Sequence, residues 1–132
     1  MSDSTDAHVW LRYAQENLQM ARMGLTAGLY NPCLQNAQQA VEKALKAVRV
    51  YRGLPLTRTH RIRNLVRELL AVRVDVGLNE EDCDLLDSIY VSSRYPPESA
   101  LPLTMADETS GRDCLRIADH VLSMAKKIIN PA

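Results

Sequence analysis

The sequence predicts an all-α protein built as a bundle of five helices. Three observations carry that prediction. The composition is alanine-rich and aromatic-poor, with one Trp, five Tyr, no Phe and only five Gly in 132 residues, a balance that favours helices over sheets. The stretch Asn31 to Gly53, NPCLQNAQQAVEKALKAVRVYRG, places Leu34, Ala37, Val41, Ala44, Leu45 and Val48 at steps of three or four, so they share one helical face. Helical runs are stopped where such runs end, at Gly28, at Gly53 with Pro55 beyond it, and at Asn130-Pro131.

Taken in order, residues 1–5 are expected to form a flexible tail and 6–130 a single domain. A first helix runs from about Asp6, its cap, to Ala27. Leu11, Ala14, Leu18, Ala21 and Leu25 make its apolar stripe, which Trp10 widens. Gly28 closes it, and the short Leu29-Tyr30 link implies an antiparallel hairpin. That hairpin places Trp10 near Val48 or Tyr51. In the second helix Asn31 is the expected cap and Pro32 the first helical residue. Ala37, Ala40, Ala44 and Ala47 allow a neighbour to approach closely. Glu42 and Lys46 form an i,i+4 pair worth roughly a few tenths of a kcal/mol if exposed.

Thr59 is the expected cap of a third helix starting at His60. Its stripe is Ile62, Leu65, Val66, Leu69 and Leu70, and it fades between Arg73 and Gly77. Asn79 caps a fourth helix, with Glu80, Glu81 and Asp82 at its positive end and Leu78 and Cys83 placed as a hydrophobic staple. Leu86, Ile89 and Tyr90 continue its apolar face. Ser92 to Leu103 reads as a loop, because Pro96-Pro97 and Pro102 exclude regular helix. The fifth helix spans about Ala106 to Ile129 on Leu115, Ala118, Leu122, Ala125 and Ile129. Gly111 weakens its first turns by about 1 kcal/mol relative to Ala.

A chain of this length suits one domain, which buries roughly two-thirds of its unfolded surface. Cys33, Cys83 and Cys114 are an odd number at wide spacings, so neither a disulfide framework nor a zinc site is indicated. Free thiols suit a reducing cytosol. The polar, acidic start MSDSTDAH is not that of a signal peptide, and no apolar run approaches a membrane span. The expected location is therefore cytoplasmic. Net charge is zero but unevenly spread. From Lys43 to Arg73 there are nine Lys/Arg against Glu68 alone, and from Val74 to Asp119 eleven Asp/Glu against three Arg. Either the two segments neutralise each other, or the first presents a basic face to phosphate-bearing ligands.

Glycine-rich phosphate loops, GxSxG, HExxH and EF-hand patterns are absent. Neither a metal site nor a cofactor is expected. His60 stands at a helix start beside Arg58, Arg61 and Arg63. There it can contact a phosphate or an RNA 2′-hydroxyl, or simply close the loop by bonding backbone groups. Arg94, after Ser92-Ser93 and before Tyr95-Pro96, suits bidentate phosphate contact, and Tyr95 suits stacking on a base. An ion pair with the acidic fourth helix is the structural alternative for Arg94.

The chain resembles the HEPN family, the nucleotide-binding helical domain shared by higher eukaryotes and prokaryotes. The resemblance runs from about Val9 to Lys127. It rests on Gln39-Ala40-Val41-Glu42-Lys43-Ala44-Leu45-Lys46-Ala47, on Thr59-His60, and on Tyr90 through Ser93-Arg94-Tyr95-Pro96. It implies an up-and-down bundle, commonly a symmetric homodimer, and pairing with minimal nucleotidyltransferases. Many members are metal-independent RNases, some acting as toxins in toxin–antitoxin pairs. Those nucleases carry an Arg-x4-6-His motif. Arg94 matches its Arg, but no His follows before Pro102, and His120 is too distant.

The expectation is thus an HEPN-like, nucleotide- or RNA-binding or nucleotidyltransferase-partner module rather than a nuclease. Arg94, Tyr95, His60, Arg58, Arg61, Arg63, Lys43 and Lys46 are its binding candidates. A metal-independent ribonuclease using Arg94 and His60 is one alternative, and a self-associating structural adaptor is another.

Overall fold

The computed structural model describes residues 6–55, 57–93 and 106–131, with 91–93 described by their backbone. Five helices are its regular elements: α1 (Ala7–Thr26), α2 (Tyr30–Tyr51), α3 (Ile62–Ala71), α4 (Glu80–Ser93) and α5 (Glu108–Ile129). The described residues contain no strand, and the all-α bundle expected from periodicity is the one found. None of the described helices is long and apolar enough to cross a membrane. The expected tail, residues 1–5, lies outside the described residues.

The organisation follows from α2. It packs against each of the other four helices, and twelve of its 22 residues are buried. The alanines explain how one helix serves four neighbours. Ala37, Ala40, Ala44 and Ala47 are completely buried, and side chains this short let flanking backbones come close. α1, α2 and α5 pack as one trio, while α3 and α4 pack on each other and on α2. Trp10 of α1 stands against Lys46 of α2, whose Nζ is 5.7 Å from its ring centre, and shares a cleft with Val50. The antiparallel hairpin predicts that placement.

The connection between α1 and α2 is tight because Gly24 has no side chain. A Cβ there would lie 3.1 Å from the Leu29 carbonyl oxygen and 3.3 Å from the Cys33 nitrogen. Gly111 performs the same service for α5, where a Cβ would come within 3.0 Å of Leu25 Cδ1 and 3.5 Å of Cys33 Sγ. The helix-propensity loss expected at Gly111 is real, but it accompanies close docking of α5 on the hairpin.

Several ends match expectation. Asp6 caps α1, accepting from the His8 and Val9 N–H groups. Gly28 and Gly53 adopt φ of 73° and 72° just beyond their helices, the left-handed region that suits Gly. Asn79 caps α4 by accepting from the Asp82 N–H at 2.7 Å. α5 starts at Glu108, slightly later than expected, behind a capping box of Asp107 and Ser110. Hydrogen bonds from Ser110 hold the Asp107 carboxyl below its ordinary pKa.

Two caps need correction. Asn31 does not cap α2. The helix already begins at Tyr30, its cap position is Leu29, and no side chain bonds there. The tight turn after α1, closed by the Leu29 N–H donating to the Gly24 carbonyl at 2.8 Å, brings the chain into helical geometry one residue before the polar side chain arrives. Thr59 does not start a helix at His60 either. α3 begins at Ile62, and its orphan N–H groups are satisfied from another helix. Asp87 of α4 accepts from the Ile62 N–H at 2.6 Å and the Arg63 N–H at 3.2 Å. A carboxylate at a helix N-terminus is favourable in charge as well as in hydrogen bonding. Thr59 keeps a smaller role, its hydroxyl accepting from the Arg61 N–H.

The α3–α4 connection also contributes to the core. Val74 and Val76, outside any helix, are buried. The three cysteines are buried and free. Burial pushes the Cys33 thiol up, the Cys83 thiol to about 11 and the Cys114 thiol to about 12.

Candidate functional site

Of the residues suggested by sequence, His60 and Lys46 meet at Glu42 on one side of α2, where the start of α3 and the end of α4 approach it. Position 42 is central. Gln38, Glu42 and Arg49 are the buried polar residues of α2, and their steps of four and seven keep them on one side of the helix. The Glu42 side chain is only 6% exposed. One of its oxygens, Oε2, accepts from Lys46 Nζ at 2.8 Å and lies 2.9 Å from His60 Nδ1. Gln38 Nε2 approaches its other oxygen at 3.5 Å. The surface value for an i,i+4 pair does not apply here. An unpaired buried carboxylate is costly, and its partners hold it in place.

The geometry assigns the His60 tautomer. Lys46 Nζ lies 3.4 Å from His60 Nδ1, but a lysine ammonium is a donor only. The shorter contact, to Glu42, makes Nδ1–H a donor. Lys46 and His60 are therefore two donors sharing one carboxylate oxygen. The other ring nitrogen, Nε2, is bonded by no described residue. The ring is nearly parallel to Tyr90 of α4, 17° between planes and 5.7 Å between centres. About half of the His60 side chain is exposed. A carboxylate on Nδ1, an aromatic ring beside and a half-exposed edge make an arrangement that can hydrogen-bond a ligand.

Asp87 sets this geometry from behind. It anchors the start of α3 two residues after His60, and Tyr90 lies one turn further along the same helix. The ring of His60 and the face it stacks on are thus tied to one element.

The remaining candidates separate into groups. Arg58 and Arg61 are near His60 in sequence and without an ion-pair partner among the described residues. Arg63 instead faces α4, paired with Asp84 and, at 3.5 Å, with Glu80. The Asp84 hydrogen bond raises its already high pKa. Arg67 reaches Glu80 at 3.9 Å. The α3–α4 face therefore neutralises itself, while the approach to His60 stays basic. Lys43 turns away to α1, donating to Asn17 Oδ1 at 2.7 Å, and does not join the cluster. Arg94, Tyr95 and most of the expected proline-bearing loop, residues 94–103, lie outside the described residues.

Two members of the site are not among the sequence candidates. Glu42 has a visible signal, since Gln38, Glu42 and Arg49 interrupt an otherwise apolar side of α2. Tyr90 enters as part of the apolar face of the fourth helix and of the family motif, not as a partner of His60. Among the described residues no group of three His, Cys, Asp or Glu is placed to hold a metal ion.

The five-helix bundle and its α2-centred packing define a class of small helical domains. Within it, the chain belongs to the HEPN domain family, whose pattern matches residues 7–128. It is 27% identical over 134 aligned positions to MJ1304 of Methanocaldococcus jannaschii, named as a candidate toxin, covering 93% of this chain and 88% of that one. Among solved structures it resembles TT1696 from Thermus thermophilus, with 29% identity, a TM-score of 0.77, and 92% and 97% of the two chains covered. It also resembles ST0689, an archaeal HEPN homologue, with 26% identity, a TM-score of 0.72, and 95% and 98% covered.

Proposed function

We propose that this HEPN-domain chain is a cytoplasmic, homodimeric binding module. Its ligand is a nucleotide or RNA phosphate, met on the face formed by His60, Lys46, Arg58 and Arg61; Arg94 and Tyr95 are further contact candidates from the sequence. The observation that carries this reading is the half-exposed ring of His60, whose Nε2 no described residue bonds, close in sequence to Arg58 and Arg61, which have no ion-pair partner among the described residues, while Arg63 and Arg67 are neutralised. Cations left unpaired beside a fixed imidazole suit phosphate contacts, which need donors rather than a metal. A nucleotidyltransferase chain is the competing partner for the same face.

Calorimetric titration with a short single-stranded RNA tests the reading. Binding is expected to weaken with salt and to fall about tenfold in Arg61→Ala, the loss of one charge-assisted contact. RNA that produces no heat at micromolar protein, with the dimer intact in sedimentation, removes the nucleic-acid ligand.

A second reading is favoured by the Glu42–His60 contact and by the name of MJ1304: a metal-independent ribonuclease. Here His60 would exchange the proton of the 2′-hydroxyl, Glu42 would hold the ring, and Arg94 would meet the phosphate. RNA cleavage persisting in EDTA, and lost in both His60→Ala and Arg94→Ala, selects this reading over pure binding. RNA left intact at stoichiometric protein eliminates it.

A further inference from the structure

Beside the His60 cluster lies a cleft of about 380 Å³ that no sequence pattern announces. Its walls come from two separated segments: α1, and the last turns of α2 with the loop that follows them. Trp10, Val50, Leu54 and Pro55 give it an apolar side. Lys46, Arg49 and Arg58 give it three cations, and no carboxylate among the described residues lines it.

The lining is held in place. Arg49 donates to the Pro55 carbonyl at 2.6 Å and pairs with Glu68 of α3, tying the loop to two helices. Its own side chain is only 9% exposed. Lys46 sits over the Trp10 ring and bonds Glu42. Arg58 alone of the three has no ion-pair partner among the described residues. A rigid apolar wall with one uncommitted cation at its mouth asks for a ligand that is flat and apolar at one end and anionic at the other. Its volume falls within the range of small-ligand sites, roughly 300–1,000 Å³. Lys46 lines the cleft and also belongs to the Glu42–His60 cluster, so the two are continuous.

We propose that this cleft is a nucleoside-monophosphate subsite, with the base against Trp10 and its apolar neighbours and the phosphate on Arg58. This rests on the binding reading above and specifies where one nucleotide unit is read. The next phosphate of a strand would then leave the cleft past Lys46 towards His60 Nε2. Base stacking on an aromatic side chain is tolerant of sequence, so the subsite selects a nucleotide and not a particular base.

Trp10 is the only tryptophan of the chain, so its fluorescence reports the cleft directly. Adenosine monophosphate titrated into the full-length protein should quench it saturably. Adenosine should quench about tenfold less tightly, and inorganic phosphate should compete without quenching. Arg58→Ala should weaken the monophosphate about tenfold, whereas Arg52→Ala, an exposed arginine outside the cleft lining, should not. Circular dichroism confirms that each variant is folded, and because Arg58 lies outside the buried core its replacement spares the packing. Equal losses in the two arginine variants, or no quenching by the monophosphate, overturn the subsite. If short RNA still binds by calorimetry in that event, the broader binding reading stands and only this placement falls. If RNA also fails to bind, both fall.

Discussion

Glu42 is a charge in the interior of a helix otherwise committed to alanine and aliphatic packing. It is tolerated because two donors from different segments, Lys46 and His60, share its oxygen. Removing the carboxylate leaves Lys46, itself only 13% exposed, without an acceptor. Glu42→Ala is therefore expected to lower unfolding free energy by about 1–3 kcal/mol in urea titration. Glu42→Gln keeps an acceptor and should lose clearly less. Equal losses would mean that the negative charge, and neither an acceptor oxygen nor side-chain volume, is what matters at this position. Glu42→Gln should also loosen His60, because an amide presents both a donor and an acceptor to Nδ1 and no longer selects one tautomer. His60 and Tyr90 cannot be paired from sequence. They are far apart in the chain, and a stack between loop and helix leaves no local pattern.

At the scale of elements, α3 is the instructive case. Ile62, Leu65, Val66 and Leu69 of its expected stripe are buried, but Leu70, expected with them, is 48% exposed, and the helix starts later than its sequence suggests. The capping group is not the threonine upstream but Asp87, buried on α4. Asp87→Ala strands two backbone N–H groups at the α3 terminus and is expected to cost about 1–3 kcal/mol. Asp87→Asn retains an acceptor oxygen and should cost roughly half as much. Amide hydrogen exchange gives the location: faster exchange at Ile62 to Leu65 in Asp87→Ala, with α1 and α5 unchanged. Uniformly faster exchange across the bundle would instead make Asp87 a global core residue. The charge segments divide at this scale too. Arg63 and Arg67 are absorbed by Asp84 and Glu80, and what remains basic lies just before the helix, around His60.

At the scale of the whole molecule, the two packing trios share α2 but differ in how they are closed. α1, α2 and α5 are 20, 22 and 22 residues long, whereas α3 has only 10. Short elements with less buried surface open at lower free energy. The cysteines sample both regions, with Cys33 and Cys114 on α2 and α5 and Cys83 on α4. All three thiols have raised pKa values from burial, so at neutral pH they are protonated and inert until exposed. Iodoacetamide at sub-denaturing urea should label Cys83 first, followed by Cys33 and Cys114 together, as read by peptide mass spectrometry. Simultaneous labelling of all three would show a single cooperative unit.

What the sequence determined by itself was the number of helices, their approximate spans and the central place of the second one. Those follow from apolar spacing and from Gly, Pro and Asn stops, which act over a few residues. Arg58, Arg61 and His60 were also legible, as polar residues clustered at a helix start. Only the tertiary structure decided that Glu42 is buried beneath His60, that Asp87 begins α3, that Arg63 is spent on α4, and that Trp10 and Arg58 wall one cleft. Each of these joins segments far apart in the chain, and their energetics arise from desolvation and shared hydrogen bonds that exist only once α2 has its neighbours around it.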